Sequence, residues 1–521
     1  MKHMAGGRWR PLLAGLFLLM AGACHSSSER AARDEAYYDA AMTSGDFATA
    51  QRRIQKAISE NDAEARYWIK LGRVSVALGN YSQAFAAYNQ ALGLAPDDVE
   101  SLQALAQMSL LSGNLGMARQ YTDTLLVLVP QDARGRLLRA GIALRERHYD
   151  DAAPVIQELE KDGLDTDELA ILKAQLLAGT KKFAEAAAVL EPRIAASEAK
   201  QTLLAELLKI YQQGGNRGGV ENTYRRMATL APGDPEPVLR YARMRYADGA
   251  VAEARKLAEG IEARNGNNEE TALAVASFWA ETAPANVAVA ELSRIAAQGD
   301  LNRKAEIADM LTGIGQARAA IALLSPIVGS SVNAANVAAQ IAYARALRAT
   351  GRVDEARARV DKALAFDSTN TKGLKLRANM ALAAHQLNQA LADAQLYASV
   401  EPESEEGALL VARIQAERGD DILAERGFAR AMDKFPDSLA VLRANLAYLD
   451  ARHRARDAAA LASRFARSHP TMAEAHRLRI AACAKVNDQE CIGEARAYLA
   501  RLAAGEEPPP AAPADGGTAT P

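Results

Sequence analysis

Residues 65–98 read ARYWIKLGRVSVALGNYSQAFAAYNQALGLAPDD: two apolar-patterned segments split by Gly79-Asn80 and closed by Pro96. Glycine ends the first segment because it takes the left-handed cap conformation without a Cβ penalty. Pro96 stops the second, since it lacks an N–H and disfavours helical geometry in the residue before it. Gly72 and Ala84 fall where two antiparallel helices joined by this turn cross most closely, so a larger side chain at either would push the backbones apart. The stretch therefore predicts one helical hairpin that is 34 residues long.

The same spacing extends in both directions. Pro96, Pro130, Pro232, Pro402, Pro436 and Pro470 are separated by multiples of 34, and fourteen consecutive frames of that length run from residue 31 to 506. Frame position 8 is small at Gly72, Ala106, Ala140, Ala174, Ala242, Ala276, Ala344, Ala378 and Ala412. Position 20 is alanine in twelve of the fourteen frames: Ala50, Ala84, Ala118, Ala152, Ala186, Ala254, Ala288, Ala322, Ala356, Ala390, Ala424 and Ala458. Alanine makes up about one residue in five, so composition alone would supply about three. Position 15 is glycine at 45, 79, 113, 215, 249, 351 and 419.

A 34-residue period carrying Trp68, Leu71-Gly72, Gly79-Asn80-Tyr81, Ala84, Tyr88, Ala91 and Pro96 resembles the tetratricopeptide repeat (TPR). The resemblance implies an all-α, right-handed superhelical solenoid of about 14 antiparallel helix pairs, with an extended concave surface lined by the first helix of each repeat. Some frames depart from the pattern. Frame six has Leu208 and Val220 at the close-contact positions, with a glycine-rich turn at 214–219. Frames eight and nine lack a clean cap, and Gly315 signals a two-residue slip. The expected organisation is an N-terminal arm at 31–264, a degenerate segment at 265–336 that forms a looser or differently curved joint, and a C-terminal arm at 337–506. A Pro/Ala-rich tail at 507–521 can bury almost nothing and is expected to be disordered.

The N-terminus carries a different signal. Lys2, Arg8 and Arg10 precede an apolar run from Leu12 to Ala23, too short to span a bilayer as a helix. Ala21-Gly22-Ala23-Cys24, followed by His25 and three serines, resembles the lipobox of bacterial lipoproteins, although leucine is commonest in that family where Ala21 stands. That resemblance implies a signal peptide at 1–23, lipidation of Cys24, a tether at 24–30 and anchorage at the periplasmic face of the outer membrane. Histidine rather than aspartate at position 25 favours the outer over the inner membrane by the family's sorting rule.

The chain has 521 residues, 49% apolar and 24% charged, with 62 basic and 64 acidic side chains. The apolar fraction excludes a disordered polymer, and three cysteines exclude a disulfide framework. Near-neutral charge gives no footprint for nucleic acid. The repeats leave no stretch for a catalytic domain, no nucleotide-binding or hydrolase signature appears, and the histidines do not converge as metal ligands; His148, His385, His453, His469 and His476 read as solvated turns or helix ends. No enzyme, cofactor or metal is expected. Trp68 and Trp279 read as core residues.

The TPR resemblance places frame position 9 on the concave surface, where Arg73, Lys209, Arg243, Arg345 and Arg413 stand against one acid, Asp39. These five are the candidate partner-binding residues, with Arg348 and Lys375 on the same face. The expected role is a protein-binding scaffold for envelope assembly or export machinery, of exopolysaccharide or pilus and secretin type. The alternative is direct binding of an anionic polysaccharide or acidic peptide along a basic groove. Cys483 and Cys491 flank the turn of the last repeat. A hairpin there either brings their Cα atoms within disulfide range or leaves two buried thiols.

Overall fold

The computed structural model describes residues 11–265, 268–329 and 331–503, with side chains from residue 27 onward. Cys24 as a side chain, residues 1–10 and the tail at 507–521 lie outside that description; the backbone at 24–30, read as a tether, is helical.

Among the described residues the secondary structure is helical throughout, in fourteen pairs. The helices are α1 (Pro11–Ser44), α2 (Phe47–Glu60), α3 (Ala65–Ala77), α4 (Tyr81–Leu94), α5 (Val99–Leu111), α6 (Leu115–Leu128), α7 (Ala133–Arg145), α8 (Tyr149–Lys161), α9 (Asp167–Gly179) and α10 (Phe183–Ala196). They continue as α11 (Lys200–Gln213), α12 (Arg217–Leu230), α13 (Pro235–Ala247), α14 (Val251–Asn265), α15 (Glu269–Thr282), α16 (Ala285–Ala297), α17 (Leu301–Gly313), α18 (Ala317–Val328) and α19 (Val337–Ala349). The series closes with α20 (Val353–Phe366), α21 (Thr371–Ala383), α22 (Leu387–Val400), α23 (Glu405–Arg418), α24 (Asp421–Lys434), α25 (Leu439–Ala451), α26 (Ala455–Ser468), α27 (Ala473–Ala484) and α28 (Gln489–Ala503). The chain divides into two compact units, one through Met244 and one from Arg245, so the division falls within α13, upstream of the 264/265 boundary placed from the repeat pattern.

Each repeat is built by the marks read in the sequence. Ala106 and Ala118, Ala140 and Ala152, Ala378 and Ala390 are completely buried where the paired helices cross. At Gly72 even alanine is too large, because a Cβ there would stand 2.6 Å from the Tyr88 ring. The turn is left-handed in both chemistries: Gly79 has φ +73° and Gly419 +82°, while Arg147, Lys181, His385, His453 and Asn487 hold the same position at φ 54–63°. Polar caps pin the helix starts; Asn80, Asn114 and Asn216 accept backbone N–H bonds at the second helices, and Asp98, Asp132 and Asn370 do so at the first.

Within each unit successive helices pack together, and odd-numbered helices also touch the next odd-numbered one (α5 on α7, α7 on α9, α17 on α19, α23 on α25). The even row makes no comparable contact among the described residues, so the odd row is the tighter side.

Four expectations are corrected. The slip lies between α16 and α17: α16 starts in phase at Ala285 but ends at Ala297, and after a three-residue connection α17 starts at Leu301, two residues ahead of its frame. Ala320 rather than Ala322 is therefore the buried contact residue, and Ala322 is exposed. The connection 329–336 returns the lost residues, held by Asn336 Nδ2 to Ser331 O at 2.9 Å and Gln340 Nε2 to Val328 O at 2.9 Å. The degenerate segment is not loosely packed either, since Phe278 and Trp279 are buried in edge-to-face contact and fill the space left by the missing pattern. In frame six the close approach passes from Val220 to Gly219, against the Tyr211 ring. His476, finally, is no solvated helix end. It is 1% exposed, stacks on Tyr498 and bonds through Nε2 to Pro470 O at 3.1 Å.

Candidate binding surface

The odd-numbered helices carry frame position 9, and the structure shows what surrounds each candidate residue. In the N-terminal unit, Arg73 on α3 forks onto Glu100 of α5, a charge-assisted pair that raises the guanidinium pKa still further. Burial pushes the flanking Tyr38 and Tyr88 hydroxyls up to about 12. Lys70 bonds Asp39 at 2.7 Å and Glu35 at 2.9 Å on α1. Lys209 on α11 pairs with Glu206 at 3.0 Å and stays mostly exposed; Glu206 also accepts from Gln175 of α9. Arg243, on α13, is half-buried.

The C-terminal unit repeats this arrangement. Arg345 on α19 reaches Asp309 of α17 at 3.3 Å, and Lys372 on α21 reaches both Glu306 at 2.6 Å and Asp309 at 3.6 Å. Burial raises the Asp309 carboxyl pKa against the opposing pull of those two cations. Lys375 pairs with Glu406 of α23, and Arg443 of α25 with Glu474 of α27 at 2.8 Å. On the face read as a basic row, another first helix thus supplies the counter-charge to Arg73, Arg345, Lys372, Lys375 and Arg443, while Lys209 finds its own within α11. Arg348 is exposed.

Arg413 differs. On α23 it is exposed and makes no ion pair among the described residues. It lines a cleft of about 720 Å³ together with Arg443, whose floor is Ala416, Ala444, Ala447 and Tyr448. Small side chains leave the room, and the lining carries Arg413, Arg418, Arg443 and Arg452 against Glu417, the last three arginines each paired with an acid. Arg443 was missed by reading position 9 alone; it stands at position 5 of its frame, another inward position of the family, where the same signal was available. Of the five candidates, then, Arg413 is the one set beside an open cleft, and the others are not gathered into one site.

The repeat also identifies itself by comparison. The sequence model described as tetratricopeptide repeat matches residues 38–99, 69–133 and 137–197, and a second model of the same description matches 311–380. The chain carries tetratricopeptide repeats. No curated protein matches it. Among solved structures, the chain is similar to a tetratricopeptide repeat protein from Parabacteroides merdae, at 14% identity over 48% of this chain and 99% of that one, with a TM-score of 0.38. A structure of Naa15/Naa10 bound to HypK-THB matches at 14% identity over 95% of this chain and 76% of that one, TM-score 0.39. Yeast Tom70 matches at 12% identity over 91% and 96%, TM-score 0.34. TPR repeats make protein–protein interaction the general role of this chain, and their fold is typical of non-enzymatic scaffolds.

Proposed function

We propose that this chain is a non-catalytic scaffold of the bacterial envelope, anchored through lipid on Cys24 to the periplasmic face of the outer membrane, which docks a protein partner of an assembly or export machine on its odd-helix face. The observation that carries the docking reading is the α23–α25 cleft, with its alanine floor and the unpaired Arg413 on its rim. A protein segment bearing a carboxylate beside an apolar side chain fits both features. The paired state of Arg73, Lys209 and Arg345 favours such a segment over a long polyanion, which would have to displace a carboxylate at each step.

In-cell crosslinking from a photoreactive residue at Ala447, with mass spectrometry of the captured protein, tests the docking. Arg413→Glu with Arg443→Glu is expected to reduce that crosslink at least tenfold and to remove its salt dependence. An undiminished crosslink would refute the reading. The anchor is tested separately: Cys24→Ser is expected to move the protein from the detergent-extracted membrane fraction to the soluble fraction or the unprocessed precursor, and unchanged extraction would refute lipidation.

A further inference from the structure

The last repeat holds a bonded pair of sulfurs in charged surroundings. Cys483 of α27 and Cys491 of α28 form a disulfide with Cα atoms 6.2 Å apart. Both line a cleft of about 530 Å³ whose walls carry Arg456 and Arg467 of α26, Arg479 of α27 and Asp488, Glu490 and Glu494 around the start of α28. Arg479 is the charge that touches sulfur. Its side chain is 3% exposed, and its Nε donates to Cys491 Sγ at 3.3 Å and to Ser463 Oγ at 3.2 Å. Ser463 Oγ lies 3.4 Å from Cys491 Sγ and 3.8 Å from Cys483 Sγ.

Two features make the sulfurs unequal. Cys491 sits in the first turn of the fifteen-residue α28, where free N–H groups favour negative charge, and it alone contacts the guanidinium. Two of the three acids are engaged, Glu494 with the other end of Arg479 and Asp488 with the backbone N–H of Cys491 at 2.9 Å, while Glu490 is the acid that opposes a thiolate there. Cys483 lies near the C-terminal end of α27, where a negative charge gains nothing from the helix.

We infer that the Cys483–Cys491 bridge is a thiol–disulfide exchange site, in which Cys483 accepts the incoming thiolate and Cys491 is the leaving sulfur. A thiolate of a dithiol reductant attacks Cys483 Sγ, forming a mixed disulfide. The Cys483–Cys491 bond breaks, and its electron pair leaves on Cys491 as a thiolate facing Arg479 Nε–H. The second thiolate of the reductant then attacks the reductant's own sulfur in the mixed disulfide. Cys483 is released and takes a proton, and the reductant becomes a disulfide. Exchange runs faster when the leaving thiol has the lower pKa, which is what Arg479 and the α28 N-terminus supply.

The test uses the full-length oxidised protein treated with reduced glutathione, quenched with N-ethylmaleimide and mapped by peptide, which keeps Cys24 separate. Glutathione is expected on Cys483 and maleimide on Cys491. Glutathione on Cys491, or exchange only after denaturant is added, overturns the inference. In Cys483→Ser, alkylation of Cys491 by iodoacetamide is expected to have its midpoint at least one pH unit below the ordinary thiol value of about 8.5. An ordinary midpoint overturns the inference without disturbing Arg479. Arg479→Met is expected to raise the midpoint in that background.

Discussion

Tyr88 and Gly72 show how far one residue can set the geometry of a repeat. The Tyr88 ring occupies the space that a β-carbon at 72 would need, and that ring is itself buried between α3 and α4. Gly72→Ala is expected to destabilise this repeat by about 1–3 kcal/mol, because an overpacked contact must move a ring or a backbone. Tyr88→Leu in the same chain should recover part of the loss, as measured by protection of α3 and α4 from hydrogen exchange. The left-handed turn residue is more forgiving. Five repeats place a side chain there, each short of the glycine freedom its neighbours use, so the fold does not depend on glycine at every turn. That tolerance is why the glycine signal faded at Arg147, Lys181, His385, His453 and Asn487 while the helix boundaries stayed on the same period.

At the scale of a helix pair, the terminal repeat is the most informative. Burial lowers the pKa of His476 on α27, against the opposing bond to Pro470 O and with the nearby Arg479 adding to the fall, and Nδ1 has no partner in the interior. A depressed histidine pKa means that the unfolded chain binds the proton first. Its contribution to stability is therefore complete above the ordinary value of 6.5 and is lost as pH falls through that value toward the folded one. Protection of α27 and α28, corrected for intrinsic exchange rates, should drop between pH 7.5 and 5.5 by at most about 1.4 kcal/mol per pH unit. His476→Phe, which can still stack on Tyr498, should flatten the profile. Nothing in the sequence pattern separated this histidine from those in turns, because its burial depends on a ring one helix away. The helix pairs themselves were legible for a simple reason. Small residues, turn glycines and prolines act within one hairpin, so local chemistry was enough to place them. The ion pairs between odd helices, such as Arg73–Glu100 and Arg345–Asp309, were not legible, since each joins two repeats and a charge read at one frame position does not reveal its partner in the next.

At the scale of the molecule, stability in such an array is close to a sum of repeat and nearest-neighbour terms. The odd-helix ion pairs add little energy by this measure, since exposed pairs contribute about 0–1 kcal/mol each. Their effect is on charge, because they leave few cations uncommitted. Perturbation should accordingly stay local. In the Gly72→Ala protein, exchange is expected to rise in α1 to α6 and to remain at the parent level in α19 to α24. A uniform rise across both units would mean that the chain unfolds as one cooperative body.

The connection 329–336 carries a consequence for how such a chain can grow. A repeat of the wrong length shifts the 34-residue register of every later frame, although each helix pair still packs only on its neighbours. Here the shift is cancelled within one repeat, by a connection in which Arg359 bonds Gly329 O at 2.6 Å and Asn336 and Gln340 bond Ser331 O at 2.9 and 3.2 Å. The segment works as an expansion joint. Length changes upstream of it can be accommodated without rewriting the helices downstream.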